Sequence, residues 1–313
     1  MYKGTYLDLG PFQDCVRSDD YHYVYKRAME VANSGNPFLI CDFAENVPLA
    51  DNHNIMQLLE DGIIACNDIY HEYEFAFTMA DSGKKCFNLN RFEERIMKSG
   101  VAKIMYYCLE CLVGCNCDKM EQALIKTKDA KYIELFMNND EVAHRHDKSW
   151  YENKLNEIKE ENKSEGKRYL PKQLTSIANN LDVLTTNEND EELLISSSDA
   201  NSSNYNPMHI NMCAEYTDCN RRRAFELMMN SGNILHIYEY YCSVANDKEK
   251  DVIYQYVLKS GYAKIMYYMI AWTDLDVDRC KEMLSEIEKL RNKKYIEKAV
   301  EALKNKENIV EPY

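Results

Sequence analysis

The sequence predicts an all-α chain, an α-solenoid of antiparallel helix pairs with a polar interruption in the middle. Three observations predict it. Among 313 residues there are 10 Gly and 6 Pro against 24 Tyr and 15 Met, so breakers are scarce where β-rich and α/β chains use turn glycines. The stretch KSGVAKIMYY at 98–107 returns as KSGYAKIMYY at 259–268, with only Val101 and Tyr262 differing. A small-polar punctuation recurs at Ser34-Gly35, Cys66-Asn67, Ser99-Gly100, Thr127-Lys128, Ser231-Gly232, Ser260-Gly261 and Arg291-Asn292. Within each half its steps are near thirty residues, the period of stacked helical repeats.

Residues 1–20 read as a lead-in without an apolar signal core. The first array is expected over 21–139. After each punctuation comes a first helix: PFLICDFAENV, IYHEYEFAFTM, VAKIMYYCLECL, AKYIELFM. Ile104, Tyr107, Cys108 and Cys111 fall at i, i+3, i+4 and i+7, one face of a helix. Gly suits a left-handed C-cap there. Asn36-Pro37 then reads as N-cap and N1, with Asp68, Asp129 and Asn233 in comparable places. Second helices follow, IMQLLEDGIIAC, RFEERIMKS and KMEQALIKT, and Asn54-x-x-Gln57, Asn90-x-x-Glu93 and Asp118-x-x-Glu121 resemble capping boxes at their starts.

The array breaks over 140–210. Asp140 to about Gly166 reads as one long polar helix of mixed charge. TTNENDEELLISSSDANSSNYNP, 185–207, has the composition of a mobile loop. Leu193, Leu194 and Ile195 within it form an apolar patch, either a tether onto the core or a docking segment for a partner. A second array is expected over 211–313, with RRRAFELMMNS, DVIYQYVLKS and RCKEMLSEIEKLR alternating with ILHIYEYYCSVA, YAKIMYYMIAW and KYIEKAVEAL. The duplicated ten residues read as one packing position kept twice. A duplicated catalytic loop would repeat His, Asp, Ser or Cys, whereas this one repeats Lys, Ile, Met and Tyr.

Net charge is −14, which argues against a nucleic-acid binder, because phosphate binding needs clustered Lys and Arg. The compact basic run Arg221-Arg222-Arg223 reads as a solvated face. An acidic surface favours basic partners, such as a nucleic-acid-binding protein or a ribonucleoprotein. Twelve Cys without an export signal read as reduced thiols of a cytoplasmic protein, and no run reaches membrane-spanning length.

Cys108, Cys111, Cys115 and Cys117 are the densest candidate metal set. Their spacing lacks the paired C-x-x-C knuckles of standard zinc sites. Aligned on the twin stretch, they face Met269, Trp272, Asp276 and Asp278, so Cys108 and Cys111 read as core. His144 and His146, two apart, point to different helix faces and read as surface. No phosphate-binding loop, dinucleotide fingerprint or nucleophile elbow is present, so neither catalytic residue nor cofactor is expected. The tyrosines of the first helices stand out. Tyr106, Tyr107, Tyr238 and Tyr267, with the 193–195 patch, are the candidate partner-binding residues, because Tyr offers large contact area at small entropic cost.

SGNPFLICDFAENV and KSGVAKIMYYCLECL resemble a helical repeat of about thirty residues found in uncharacterised proteins of low-GC bacteria and their phages, of the general tetratricopeptide and HEAT type. Phe43-Ala44 and Phe75-Ala76 keep its Phe-Ala pair, while later units depart to Tyr107-Cys108, Tyr241-Cys242 and Tyr268-Met269. The resemblance covers most of 21–138 and 219–303, leaves out the middle, and implies a fold without an activity. The function expected is therefore non-catalytic binding of another protein through the solenoid surface. One alternative is a phage or mobile-element inhibitor of a nucleic-acid-processing defence complex such as a CRISPR effector, its acidic surface set against a basic channel. Another is a metal protein built on the Cys cluster.

Overall fold

The computed structural model describes residues 10–139, 146–165, 207–216 and 221–310. Among them every regular element is helical. The chain divides into two compact units, Asp14–Ser197 and Met1–Gln13 with Ser198–Tyr313.

In the first unit the helices are α1 (Tyr21–Ala32), α2 (Pro37–Asn46), α3 (His53–Ala65), α4 (Ile69–Asp81), α5 (Leu89–Ser99), α6 (Ala102–Cys111), α7 (Cys117–Thr127), α8 (Ala130–Met137) and α9 (Lys148–Glu165). Each of α1 to α8 has a packing partner two helices along. α2 lies on α4, α4 on α6 and α6 on α8, while α1 lies on α3 and α5 on α7. The α1–α3 contact is the closest kind. A Cβ on Gly62 would sit 2.8 Å from the Ala32 carbonyl oxygen, so only glycine lets the two backbones approach this far. The second unit repeats the scheme in α10 (Pro207–Tyr216), α11 (Arg221–Ser231), α12 (Ile234–Ser243), α13 (Asp247–Leu258), α14 (Ala263–Trp272), α15 (Val277–Lys289) and α16 (Lys293–Val310). There α10, α12, α14 and α16 pack in sequence, with the remaining helices between them. Contact with near neighbours in the chain is the pattern of a helical repeat.

The joints explain the period. Gly35, Asn67, Gly100, Lys128, Gly232, Gly261 and Arg291 all take positive φ, between 50° and 77°. The last punctuation therefore lies one residue earlier than the sequence pattern places it, at Arg291 and not Asn292. Five joints share a further device. The hydroxyl before the left-handed residue donates to the carbonyl three residues back and accepts the amide two residues ahead. Ser99 does so to Ile96 at 2.7 Å and from Val101 at 3.1 Å; Ser260 does so to Val257 at 2.6 Å and from Tyr262 at 3.1 Å. Ser34, Thr127 and Ser231 repeat it. Each hydroxyl satisfies a carbonyl that the helix end leaves orphaned. Asn36, Asp68, Asp129 and Asn233 then cap the following helices, as their positions predict.

The three expected capping boxes are not formed. The N-caps are Asn52, Asn88 and Asn116, each two residues before the residue proposed. The glutamates have another role. Glu60, Glu93 and Glu121 stand seven residues before successive joints and are all buried. Glu60 accepts from the Asn88 amide at 2.8 Å, and Glu93 from the Asn116 amide at 2.5 Å. Glu121 accepts from the Tyr151 hydroxyl at 2.8 Å. Each carboxylate thus reaches from one helix to the start of the helix two along, or in the last case to α9, fixing the step between repeats. A capping box does occur at Asn246 and Glu249.

The middle segment needs correction as well. The polar helix starts at Lys148 among the described residues and is amphipathic, burying Tyr151, Leu155 and Ile158. It packs on α8, with Tyr151 edge-on to Phe136 at 5.7 Å, and belongs to the first unit. Pro207, expected in the loop, already opens α10.

Candidate partner-binding surface

The even-numbered helices α4, α6 and α8 pack side by side, and aromatic rings form a continuous row across them. Tyr73 meets Phe77 at 6.2 Å within α4 and Tyr107 of α6 at 5.8 Å. Tyr107 meets Tyr106 at 6.1 Å, and Tyr106 meets Tyr132 of α8 at 6.1 Å. Tyr73, Phe77, Tyr106 and Tyr107 are half-buried, while Tyr132 is buried. Tilted rings at this spacing attract one another beyond their area burial, so the row both joins the repeats and presents an aromatic strip to solvent.

Cations punctuate the row. Lys103 is buried, its ammonium 5.7 Å from the Tyr70 ring and 5.8 Å from Tyr107. Lys131 stands 5.0 Å from the Tyr132 ring. These are cation–π distances, and a desolvated ammonium gains most from them. The Tyr106 hydroxyl donates to Glu110 Oε1 at 3.0 Å, and the Asn139 amide donates to the same oxygen at 3.1 Å. Burial, with the Glu110 charge adding to it, pushes the Tyr106 phenol up to about 12, so the hydroxyl stays a donor at neutral pH.

The second unit carries a related strip. Tyr267 meets Tyr268 at 5.7 Å, Trp272 at 5.8 Å and Tyr295 of α16 at 5.8 Å. Tyr268 stacks on Trp272 at 4.4 Å. Tyr267 is half-buried and Trp272 is 46% exposed, but Tyr238 is buried against Tyr268 and offers little surface. Lys264 lies over Tyr268, Lys294 over Tyr295 and Lys298 over Tyr267, at 5.7 to 5.9 Å. Of the sequence-proposed residues, Tyr106 and Tyr107 are therefore brought together, and Tyr267 lies on its own strip. Leu193, Leu194 and Ile195 lie outside the described residues, as does His144. His146 stacks on Trp150 at 3.9 Å.

The thiols do not converge. Cys108 is fully buried, Cys111, Cys115 and Cys117 are half-buried, and among the described residues no three of these sulfurs lie within 4.8 Å of one another. Burial raises the Cys108 and Cys115 thiols and pushes Cys111 up to about 12. A polar cleft of about 220 Å³ lies between α13 and the α14–α15 joint, lined by Tyr241, Asp247, Lys250, Asp251, Asp274 and Arg279. Its cations are already paired, Lys250 with Asp274 at 3.2 Å and Arg279 with Asp251 at 2.8 Å.

Sequence reading missed Glu110, Asn139 and the buried lysines. The signal for the lysines was present: both twin stretches set Lys and Tyr four apart, Lys103 with Tyr107 and Lys264 with Tyr268, so the pair shares a helix face.

Fold and surface together define an all-α protein with helical-repeat packing. Compared with known protein families, with curated proteins and with solved structures, the chain matches none. Among the described residues no helix is long and apolar enough to cross a membrane.

Proposed function

We propose that this chain is a non-catalytic helical-repeat protein, its helices paired antiparallel in solenoid fashion, that binds another protein through the aromatic strip of α4, α6 and α8. The observation that carries the reading is the unbroken ring contact from Phe77 to Tyr132 across three successive even helices, with four of its five rings half-buried. Rigid aromatic anchors on a repeated scaffold are the kind of surface on which binding energy concentrates. The net charge of −14 supports a basic partner, including a nucleic-acid-binding protein or a ribonucleoprotein, and disfavours direct nucleic-acid binding. It equally supports the narrower reading, inhibition of a nucleic-acid-processing defence complex of the CRISPR type by occupation of its basic channel. The test is site-specific photo-crosslinking in cells, with benzoylphenylalanine at Tyr106 and, as control, at the exposed Lys119 of α7. One protein cross-linked from position 106 and not from 119 is expected. Equal labelling from both, or none from 106, overturns the reading.

A further inference from the structure

We propose that Tyr106 and Glu110 form the socket for an arginine side chain of the partner, an assignment that rests on the docking reading above. A cation over a tyrosine ring recurs in both units. Lys103 serves Tyr107, Lys131 serves Tyr132, and in the second unit Lys264, Lys294, Lys298, Lys250 and Arg279 serve Tyr268, Tyr295, Tyr267, Tyr241 and Tyr254. Tyr106 sits in the row between Tyr107 and Tyr132, and among the described residues no cation stands over its ring. Glu110 is exposed and hydrogen-bonded to the Tyr106 hydroxyl and to Asn139, and among the described residues it too has no cationic partner.

The geometry selects the ligand. Tyr106 and Asn139 both act on Oε1, which holds the carboxylate in place and leaves Oε2 for an incoming donor. A half-buried ring face beside a fixed carboxylate fits a planar cation that stacks on one and hydrogen-bonds to the other. Guanidinium does both, whereas ammonium is a compact, strongly hydrated point charge. The excess of negative charge on the chain draws such a segment in, and the socket then orients it.

The probe is a fluorescein-labelled nonapeptide rich in arginine, read by anisotropy at physiological ionic strength, where distant exposed charges are largely screened. Its lysine and glutamine twins run beside it. Glu110→Gln and Tyr106→Leu are each expected to weaken arginine-peptide binding about tenfold, and the double variant by far less than the product. Tyr106→Phe, which keeps the ring and loses the bond to Glu110, should fall between. Glu94→Gln removes an exposed carboxylate from α5 and should change affinity less than about twofold. Lysine should bind more weakly than arginine, and glutamine not measurably. Equal effects of Glu110→Gln and Glu94→Gln, or no arginine-peptide binding, overturn the socket. If position 106 still cross-links a partner in that event, the docking reading stands and only the arginine assignment falls. If it does not, both fall.

Discussion

Glu93 offers the sharpest test of how the repeats are held in step. Its carboxylate is 4% exposed and accepts the Asn116 amide, the N-cap of α7, at 2.5 Å. A hydrogen bond to a charged group contributes about 1.5–3 kcal/mol, and each buried methylene about 0.8 kcal/mol. Glu93→Ala removes the bond and one methylene, a loss of roughly 2–4 kcal/mol before relief of the buried charge is counted. Glu93→Gln keeps the methylenes and an acceptor and loses the charge assistance, about 1 kcal/mol. Relief of desolvation is common to both variants, so the difference of about 2 kcal/mol between them isolates the clamp. Urea unfolding followed by CD gives the midpoints, and hydrogen exchange gives protection at the Asn116 amide. Alanine should unfold well before glutamine, with Asn116 protection lost in alanine and retained in glutamine. Coincident midpoints with unchanged Asn116 exchange would refute the clamp.

Three other outcomes follow from the same geometry. Lys128 holds φ 59° at a joint where Gly100 holds 73°; a non-glycine pays about 1 kcal/mol there, and the exposed Lys128–Glu161 pair returns at most about 0.5 kcal/mol. Lys128→Gly should therefore stabilise by about 0.5 kcal/mol in urea melts, while Gly100→Ala destabilises by about 1 kcal/mol; the same sign for both would contradict the equivalence of the joints. Alkylation by iodoacetamide at pH 8, mapped by mass spectrometry, should mark the exposed Cys242 first and leave Cys108 unmarked until the chain unfolds, because burial raises the Cys108 thiol and shields it. Burial also raises Glu60 and Glu72 from the usual 4.5, despite Arg91 and Arg95 beside them. The fold favours their protonated forms, so this contribution to stability is complete below pH 4.5 and is lost as pH rises through the folded value. Between those limits the urea midpoint of Glu60→Gln should fall less steeply with pH than that of the wild type; parallel slopes would remove Glu60 as the source.

How much of this was legible depended on whether a residue's identity reports its surroundings. Six of the seven joints were readable: five place Gly or Asn after a hydroxyl or thiol, and at the sixth Thr127 marks the place although Lys128 takes the left-handed turn. Arg291 broke the rule, and the neighbouring Asn292 drew the assignment one residue late. The second-helix starts were misread for one reason. Each offers two Asx residues two apart, Asn52 and Asn54, Asn88 and Asn90, Asn116 and Asp118. The later one happens to precede Gln57, Glu93 or Glu121 by three. Local spacing cannot tell a glutamate that folds back on its own helix from one that reaches the next repeat, and Glu93 and Glu121 do the latter. The sequence also could not show that Tyr238 is buried while Tyr106 is half-exposed, since each stands six residues after its joint glycine, Gly232 or Gly100. That difference is made by the neighbours: Tyr238 rests against Tyr268, itself stacked beneath Trp272.

The twin stretches show how packing and recognition divide one strip of helix. Lys103 and Tyr107 recur as Lys264 and Tyr268, in the same relation, with ammonium-to-ring distances of 5.8 and 5.9 Å. A pair kept that closely in two places is doing the same job in each, and burial of both lysines makes that job structural. The residue just before, Tyr106 or Tyr267, is half-buried in both copies, and there the copies part company. Tyr267 is served by Lys298 from α16, so its cation comes from within the chain. Tyr106 instead holds Glu110, whose counterpart four residues after Tyr267 is Ala271. The array therefore neutralises the strip internally in one unit and leaves a carboxylate beside an open ring in the other. The two stretches match at nine of ten positions up to Tyr107 and Tyr268 and diverge beyond them, so Glu110 against Ala271 is a difference that the shared packing stretch does not impose.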